Sequence, residues 1–167
     1  MPGLAEKCMC GENDCFAALP SRREAVLFAD GEEAVSSGER CDCVIVLRAG
    51  GSLEIYLVEL KRVTVTDAKK LRQILNPDRL KQKWTHCLKW AESIIAGFNT
   101  MGGDTQRVKR VTVLAAPPSV LDNVRSLIRR EKRRYLLPGP RVELRLVYCG
   151  CPATGEECGA RGVATAP

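Results

Sequence analysis

The sequence predicts an α/β domain built on one mixed sheet, and three observations predict it. Short β-branched runs alternate with longer amphipathic runs, giving the element order β-β-α-β-α-β. The first two strands are separated only by "AGGS" at residues 49–52, which makes them a hairpin inside an otherwise helix-connected sheet. The chain has 167 residues, 45% hydrophobic and 28% charged, which suits one globular domain with a substantial core.

The elements follow in order. Residues 1–20 hold Cys8, Cys10 and Cys15 and read as a cysteine-rich arm. "SRREAVLFA" at 21–29 reads two ways. Ser21 with Glu24 three residues on makes a helix capping box, whereas alternating Val26 and Phe28 before the turn dipeptide Asp30-Gly31 suit a strand. "CDCVIVLR" and "LEIYLVELKR" are the two hairpin strands. "DAKKLRQIL" is helical and stops before Asn76-Pro77.

"PDRLKQKWTHCLKWAESIIAGF" is a long helix with Pro near its first position and its end at Gly97 or just after. Its apolar residues Leu80, Trp84, Cys87, Leu88, Ala91, Ile94 and Ile95 recur at helical spacing. "RVTVLAA" is the next strand. Residues 119–135 form a further helix with Ser119 as N-cap and Asp122 at N3. Pro138 and Pro140 end it, and "RVELRLVYCGC" is the closing strand. Residues 151–167 are a small-residue tail without regular structure. The division is thus an arm at 1–20, a core at 21–150 and a tail at 151–167.

Charge and cysteine usage narrow the partners. Net charge is +6, and "RSLIRREKRRY" carries six Arg or Lys against one Glu. Arg129, Arg130, Arg133 and Arg134 are the candidate phosphate contacts, with DNA or RNA as the expected partner. No apolar run approaches the roughly 20 residues that cross a bilayer, and "MPGLAEKCMCGENDC" lacks the pattern of a secretory signal. The expectation is a cytoplasmic protein with no membrane partner, a homodimer being one open oligomeric state.

Nine cysteines are grouped, with Cys41 and Cys43 together, Cys149, Cys151 and Cys158 near the end, and Cys87 alone. Clusters at both termini, Cys8 and Cys10 with Cys149 and Cys151, are expected to meet through zinc, an iron–sulfur cluster or disulfides. Few Gln and Asn with many Arg and Val lean toward a hyperthermophile, where intracellular disulfides are normal.

The chemistry-bearing residues lie on the hairpin. Residues two apart on a strand share a face, so Ile55, Leu57, Glu59 and Lys61 line up. Counting outward from the turn brings Asp42 to the same end of the hairpin as Glu59. Two carboxylates converging beside a lysine form a hard-oxygen pocket for Mg²⁺ or Mn²⁺.

Asp42, then Glu59-Leu60-Lys61 one strand later and a long helix after it, resemble the PD-(D/E)xK, or restriction-endonuclease-like, nuclease superfamily. Arg40-Cys41 precede the Asp where that family often carries Pro. The resemblance spans about residues 21–148. It implies an αβββαβ core with helices flanking the sheet, and a metal-dependent DNA nuclease. Asp42, Glu59 and the backbone carbonyl of Leu60 would hold the metal, and Lys61 would position water and stabilise the charged transition state. "QKWTH" is similar to a motif of RecB-like nucleases, with His86 in place of Tyr, and implies that Gln82 helps to orient the site. Several RecB-like nucleases also tie their termini with an iron–sulfur cluster.

Other residues read more plainly. His86 is expected to be a satisfied helix histidine, Trp84 and Trp90 packing residues, and Glu24 a capping-box partner rather than a further metal carboxylate. No Walker A, HExxH, GxSxG or dinucleotide-glycine pattern occurs. Two rivals stand beside the nuclease: a catalytically silent nucleic-acid-binding module on the same fold, and a cysteine-stabilised structural or interaction protein.

Overall fold

In a computed structural model, residues 7–9, 16–18, 24–35, 38–49, 51–61, 63–99, 107–139, 141–150 and 163–165 are described. Strands β1 (Lys7–Met9) and β2 (Phe16–Ala18) form a small antiparallel pair of their own within the arm. The elements β3 (Glu24–Asp30), α1 (Gly31–Ala34), β4 (Cys43–Ala49), β5 (Ser52–Leu60), α2 (Ala68–Ile74) and α3 (Pro77–Asn99) follow. Then come β6 (Arg107–Ala116), α4 (Pro118–Arg130), α5 (Lys132–Tyr135), β7 (Val142–Tyr148) and β8 (Val163–Thr165).

Strands β3 to β8 form one six-stranded sheet in sequence order. β3, β4 and β5 are an antiparallel meander, β6 and β7 add in parallel, and β8 closes the edge antiparallel. The α/β class and the mixed sheet are as the sequence predicts. The hairpin register pairs Ala49 with Ser52 and Cys43 with Val58, so the turn falls within "AGGS".

Segment 21–29 resolves in favour of the strand. From Glu24 onward it pairs with β4 and supplies that strand with its second neighbour, so no helix precedes the meander among the described residues, and Ser21 of the capping box lies outside them. Asp30-Gly31 is not a hairpin turn either, because α1 and residues 35–42 intervene before β4. Gly31 instead lies against the chain at Cys41, where a Cβ would stand 1.8 Å from the Cys41 carbonyl oxygen. Its N–H donates to the Asp42 carbonyl at 2.8 Å. Only glycine permits that approach.

The helices keep to one face of the sheet. Connections between parallel strands are right-handed, and here both crossovers advance the sheet in the same direction, so both place their helices on the same side. Leu71, Leu80, Trp84, Cys87, Ala91 and Ile95 from α2 and α3, with the buried face of α4, pack on Val44, Val46, Ile55, Leu57, Leu114 and Leu146. Flanking by helices on both faces is therefore absent among the described residues.

The other face is buried as well, through Cys43, Ile45, Leu47, Tyr56, Val58, Leu60, Val111 and Val113, and β2 lies against β5. Burial on both sides explains why β4 and the end of β5 read as continuous apolar runs rather than as alternation.

Two helix expectations change. The helix expected over 119–135 starts at Pro118, with Pro117 and not Ser119 at the N-cap, because proline needs no N–H partner in the first turn. It then breaks at Glu131, whose carboxylate pairs with Arg72 at 2.6 Å. The break turns Tyr135 into the core, where its hydroxyl donates to the Leu75 carbonyl at 2.6 Å and burial pushes its pKa up to about 12. In the tail, residues 163–165 add a strand to β7, which would otherwise expose an unpaired edge. α2 and α3 begin as expected, with Asp67 accepting from Lys70 N–H and Asn76 from Arg79 N–H.

A disulfide joins Cys41, just before β4, to Cys87 on α3, with the Cα atoms 6.3 Å apart. It closes a 46-residue separation, for which loop-closure entropy gives a stabilisation of about 4 kcal/mol. Cys43 and Cys149 are disulfide-bonded too. The side chain of Cys8, and Cys10 and Cys151 altogether, lie outside the described residues.

Gly31→Ala should lower the unfolding free energy by about 2 kcal/mol or more, since backbone must shift to admit the methyl group. Urea denaturation measures this, and a variant as stable as the parent would contradict the close approach at Cys41.

Candidate functional site

The predicted carboxylates meet where β4 begins and β5 ends. The pairing of Cys43 with Val58 continues to Asp42 opposite Glu59, and Asp42 N–H donates to the Val58 carbonyl at 2.8 Å. The Asp42 carboxylate is anchored to the neighbouring strand, with Oδ2 accepting from Leu60 N–H at 2.7 Å. Leu60 thus touches the site through its backbone while its side chain is buried in the opposite face of the sheet. Gly31 holds Asp42 from the other side through its carbonyl.

Glu59 is the unusual residue. Its side chain is 1% exposed, at the end of a strand whose preceding residues are apolar. Its Oε1 receives two ammonium groups, Lys61 Nζ at 2.7 Å and Lys83 Nζ at 2.6 Å. Lys61 is 22% exposed and Lys83 16%, so both reach inward from the rim. Its Oε2 is buried with no hydrogen-bond donor. A buried carboxylate oxygen normally finds a donor or a cation, because desolvation without a partner costs several kcal/mol.

Asp42 feels this environment. Burial first, and then the neighbouring Glu59 charge, push its pKa up from 3.8 to about 6, against the opposing pull of the Leu60 N–H, Lys83 and Lys61.

Lys83 is the residue that sequence reasoning passed over. It sits one position after the expected Gln82, which is exposed on α3. The signal for it was available. Lys83 falls three residues after Leu80 and four before Cys87, both buried in the core, so helical spacing puts it on the sheet-facing side. His86 is satisfied as expected, its Nδ1–H donating to the Glu39 carbonyl at 2.7 Å. Trp84 is fully buried and Trp90 packs at the core margin. In the strand register Glu24 stands opposite Arg48, at the end of β4 away from Asp42.

Arg129, Arg130, Arg133 and Arg134 are all exposed. α4 leaves the sheet just after β6, whose Ala115 carbonyl accepts Lys61 N–H at 2.8 Å, and its 13 residues carry Arg129 and Arg130 away from that end. Arg134 pairs with Glu131 at 3.5 Å, and Lys81 Nζ donates to the Arg133 carbonyl at 3.4 Å, which ties α5 to the start of α3.

Among the described residues no group of three or more His, Cys, Asp and Glu is placed to hold a metal, so a cation here would rely on Asp42, Glu59 and backbone oxygen. A cavity of about 510 Å³ bounded by Ser52, Glu54, Lys109, Arg141, Val142 and Glu143 lies at the opposite end of the sheet, away from this chemistry. No described helix is long and apolar enough to cross a membrane. No family model, curated protein or solved structure matches the chain.

The raised pKa of Asp42 fixes the sign of a pH effect. Between pH 3.8 and about 6 the folded chain retains a proton that the unfolded chain has released, so this contribution is complete below pH 3.8 and lost as pH rises through about 6. The loss amounts to about 3 kcal/mol. In chelator-treated protein, Asp42→Asn should therefore gain about 2–3 kcal/mol relative to the parent between pH 4 and pH 7 in urea unfolding. A parent–variant difference that stays constant with pH would refute the assignment.

Proposed function

We propose that this chain is a metal-dependent nuclease of the PD-(D/E)xK type, cleaving phosphodiester bonds in DNA, with RNA a second candidate substrate. One observation carries the reading: a buried glutamate with one donor-free oxygen beside a second, partly buried carboxylate at the end of a two-strand ladder. Oxygen ligands of this kind suit a hard divalent cation such as Mg²⁺ or Mn²⁺, and they leave room for backbone oxygen and water in its shell. Asp42, Glu59 and the Leu60 carbonyl are the proposed ligands. The antiparallel meander followed by a helix and a parallel strand supports the fold-level part of the reading.

A bound divalent cation supplies Lewis-acid charge to the phosphodiester and lowers the pKa of water in its shell. The chain's own residues do the rest. Asp42 and Glu59 would supply the carboxylate oxygens, the first fixed by the Leu60 N–H and the second by the Lys83 ammonium. Lys61 lies on the same strand end and is solvent-accessible enough to meet a scissile phosphate or orient the attacking water. Arg129, Arg130, Arg133 and Arg134 offer phosphate contacts that add affinity without sequence information.

The silent-module reading has its own support, because two ammonium groups offset the Glu59 charge without any metal ion. Zinc or an iron–sulfur centre at the terminal cysteines stays a proposal for Cys8, Cys10 and Cys151, with Cys149 committed to a disulfide.

Asp42→Ala and Glu59→Ala should each abolish Mg²⁺-dependent cleavage while the circular dichroism spectrum stays native; cleavage surviving either change would overturn the site assignment, and a parent that binds DNA without cleaving it would favour the silent module. Lys61→Ala should slow single-turnover cleavage by roughly two or more orders of magnitude with affinity nearly intact. Replacing the four arginines by Ala should do the opposite, flattening the salt dependence of binding by up to about 0.9 unit of log–log slope per lost phosphate contact. Affinity across a salt series, measured beside cleavage for both proteins, separates the two effects.

A further inference from the structure

Two ammonium groups on one carboxylate oxygen are more than charge balance requires. They also come from different elements: Lys61 from the strand end beyond β5, Lys83 from α3. Resting on the nuclease reading, we propose that the two are divided in role, with Lys83 the positioning residue for Glu59 and Lys61 the residue free to move to substrate.

The geometry distinguishes them. Lys83 sits on a helix whose next turn is fastened to the segment before Asp42 by the Cys41–Cys87 disulfide. Its neighbours Leu80, Trp84 and Cys87 are fully or almost fully buried. Its ammonium is therefore delivered from a braced element and donates to Oε1 at 2.6 Å. Lys61 follows the last residue of β5 and is the more exposed of the two. When Lys61 leaves Oε1 for a phosphate, a buried carboxylate would lose its only counter-charge unless Lys83 stayed. Lys83 keeps Oε1 engaged from the helix side, which leaves Oε2, buried and without a hydrogen-bond donor, available to a cation shared with Asp42.

The test compares variants of equal charge. Lys61→Met and Lys83→Met each remove one ammonium from Oε1, so any general electrostatic effect on a cation is the same in both. Mn²⁺ affinity, read by titration calorimetry and by the paramagnetic resonance of free Mn²⁺, is measured for full-length parent, both variants, Lys83→Arg and Asp42→Asn. Lys83→Met should bind Mn²⁺ about tenfold more weakly than Lys61→Met, and Lys83→Arg should recover most of the parent affinity. If Lys83→Met fails to fold, Lys83→Gln against Lys61→Gln makes the same comparison with the same expected order.

Equal affinities in the paired variants, with the parent binding more tightly than Asp42→Asn, would overturn the division of roles and leave the nuclease reading standing. Parent and Asp42→Asn binding Mn²⁺ equally would overturn both.

Discussion

The Glu59 carboxylate at the inner end of β5 governs how the rest of the chain is arranged. A carboxylate that is 1% exposed carries a desolvation cost of several kcal/mol, and the fold must offset it locally. Lys61 does so from the same strand, but Lys83 does so from a helix 24 residues away in sequence, which requires α3 to cross β5 at that point. The apolar stripe Leu80, Trp84, Cys87, Ala91 and Ile95 supplies the packing that holds it there. Asp42, beside this buried charge and itself largely shielded, becomes a reluctant acid with a pKa of about 6. Ion pairing, helix placement and the protonation of Asp42 are thus one coupled arrangement.

The one-sided helical layer creates a second demand. With both crossovers on the same face, the opposite face of the sheet would present Ile45, Tyr56, Val58 and Val111 to water. Among the described residues no helix covers that face, and β2 from the arm lies against β5. Cysteines reinforce both sides. Cys41 and Cys87 are cross-linked on the helical face, while Cys43 and Cys149, on or against the other face, are also in disulfides.

The two carboxylates were legible because a tight turn sets hairpin register, and a one-residue slip would turn every side chain to the wrong face. From "AGGS" outward, Asp42 and Glu59 had to arrive together. Lys83 was nearly legible: the stripe that buries Leu80 and Cys87 turns the same helix face at position 83, and one residue's rotation of about 100° separates it from Gln82. Segment 21–29 was not legible, since its local signals for helix and strand balance, and the open edge of β4 decided between them.

Length, hydrophobic periodicity and turn chemistry by themselves determined the α/β class, the hairpin and its register, the positions of α2 and α3, and the pairing of Asp42 with Glu59, because each depends on residues close in sequence. The tertiary structure alone decided the partner of Cys87, the break at Glu131, the single helical face and the second ammonium on Glu59. Each of those joins groups far apart along the chain, where packing and the need to offset buried charge, rather than local propensity, select the contact.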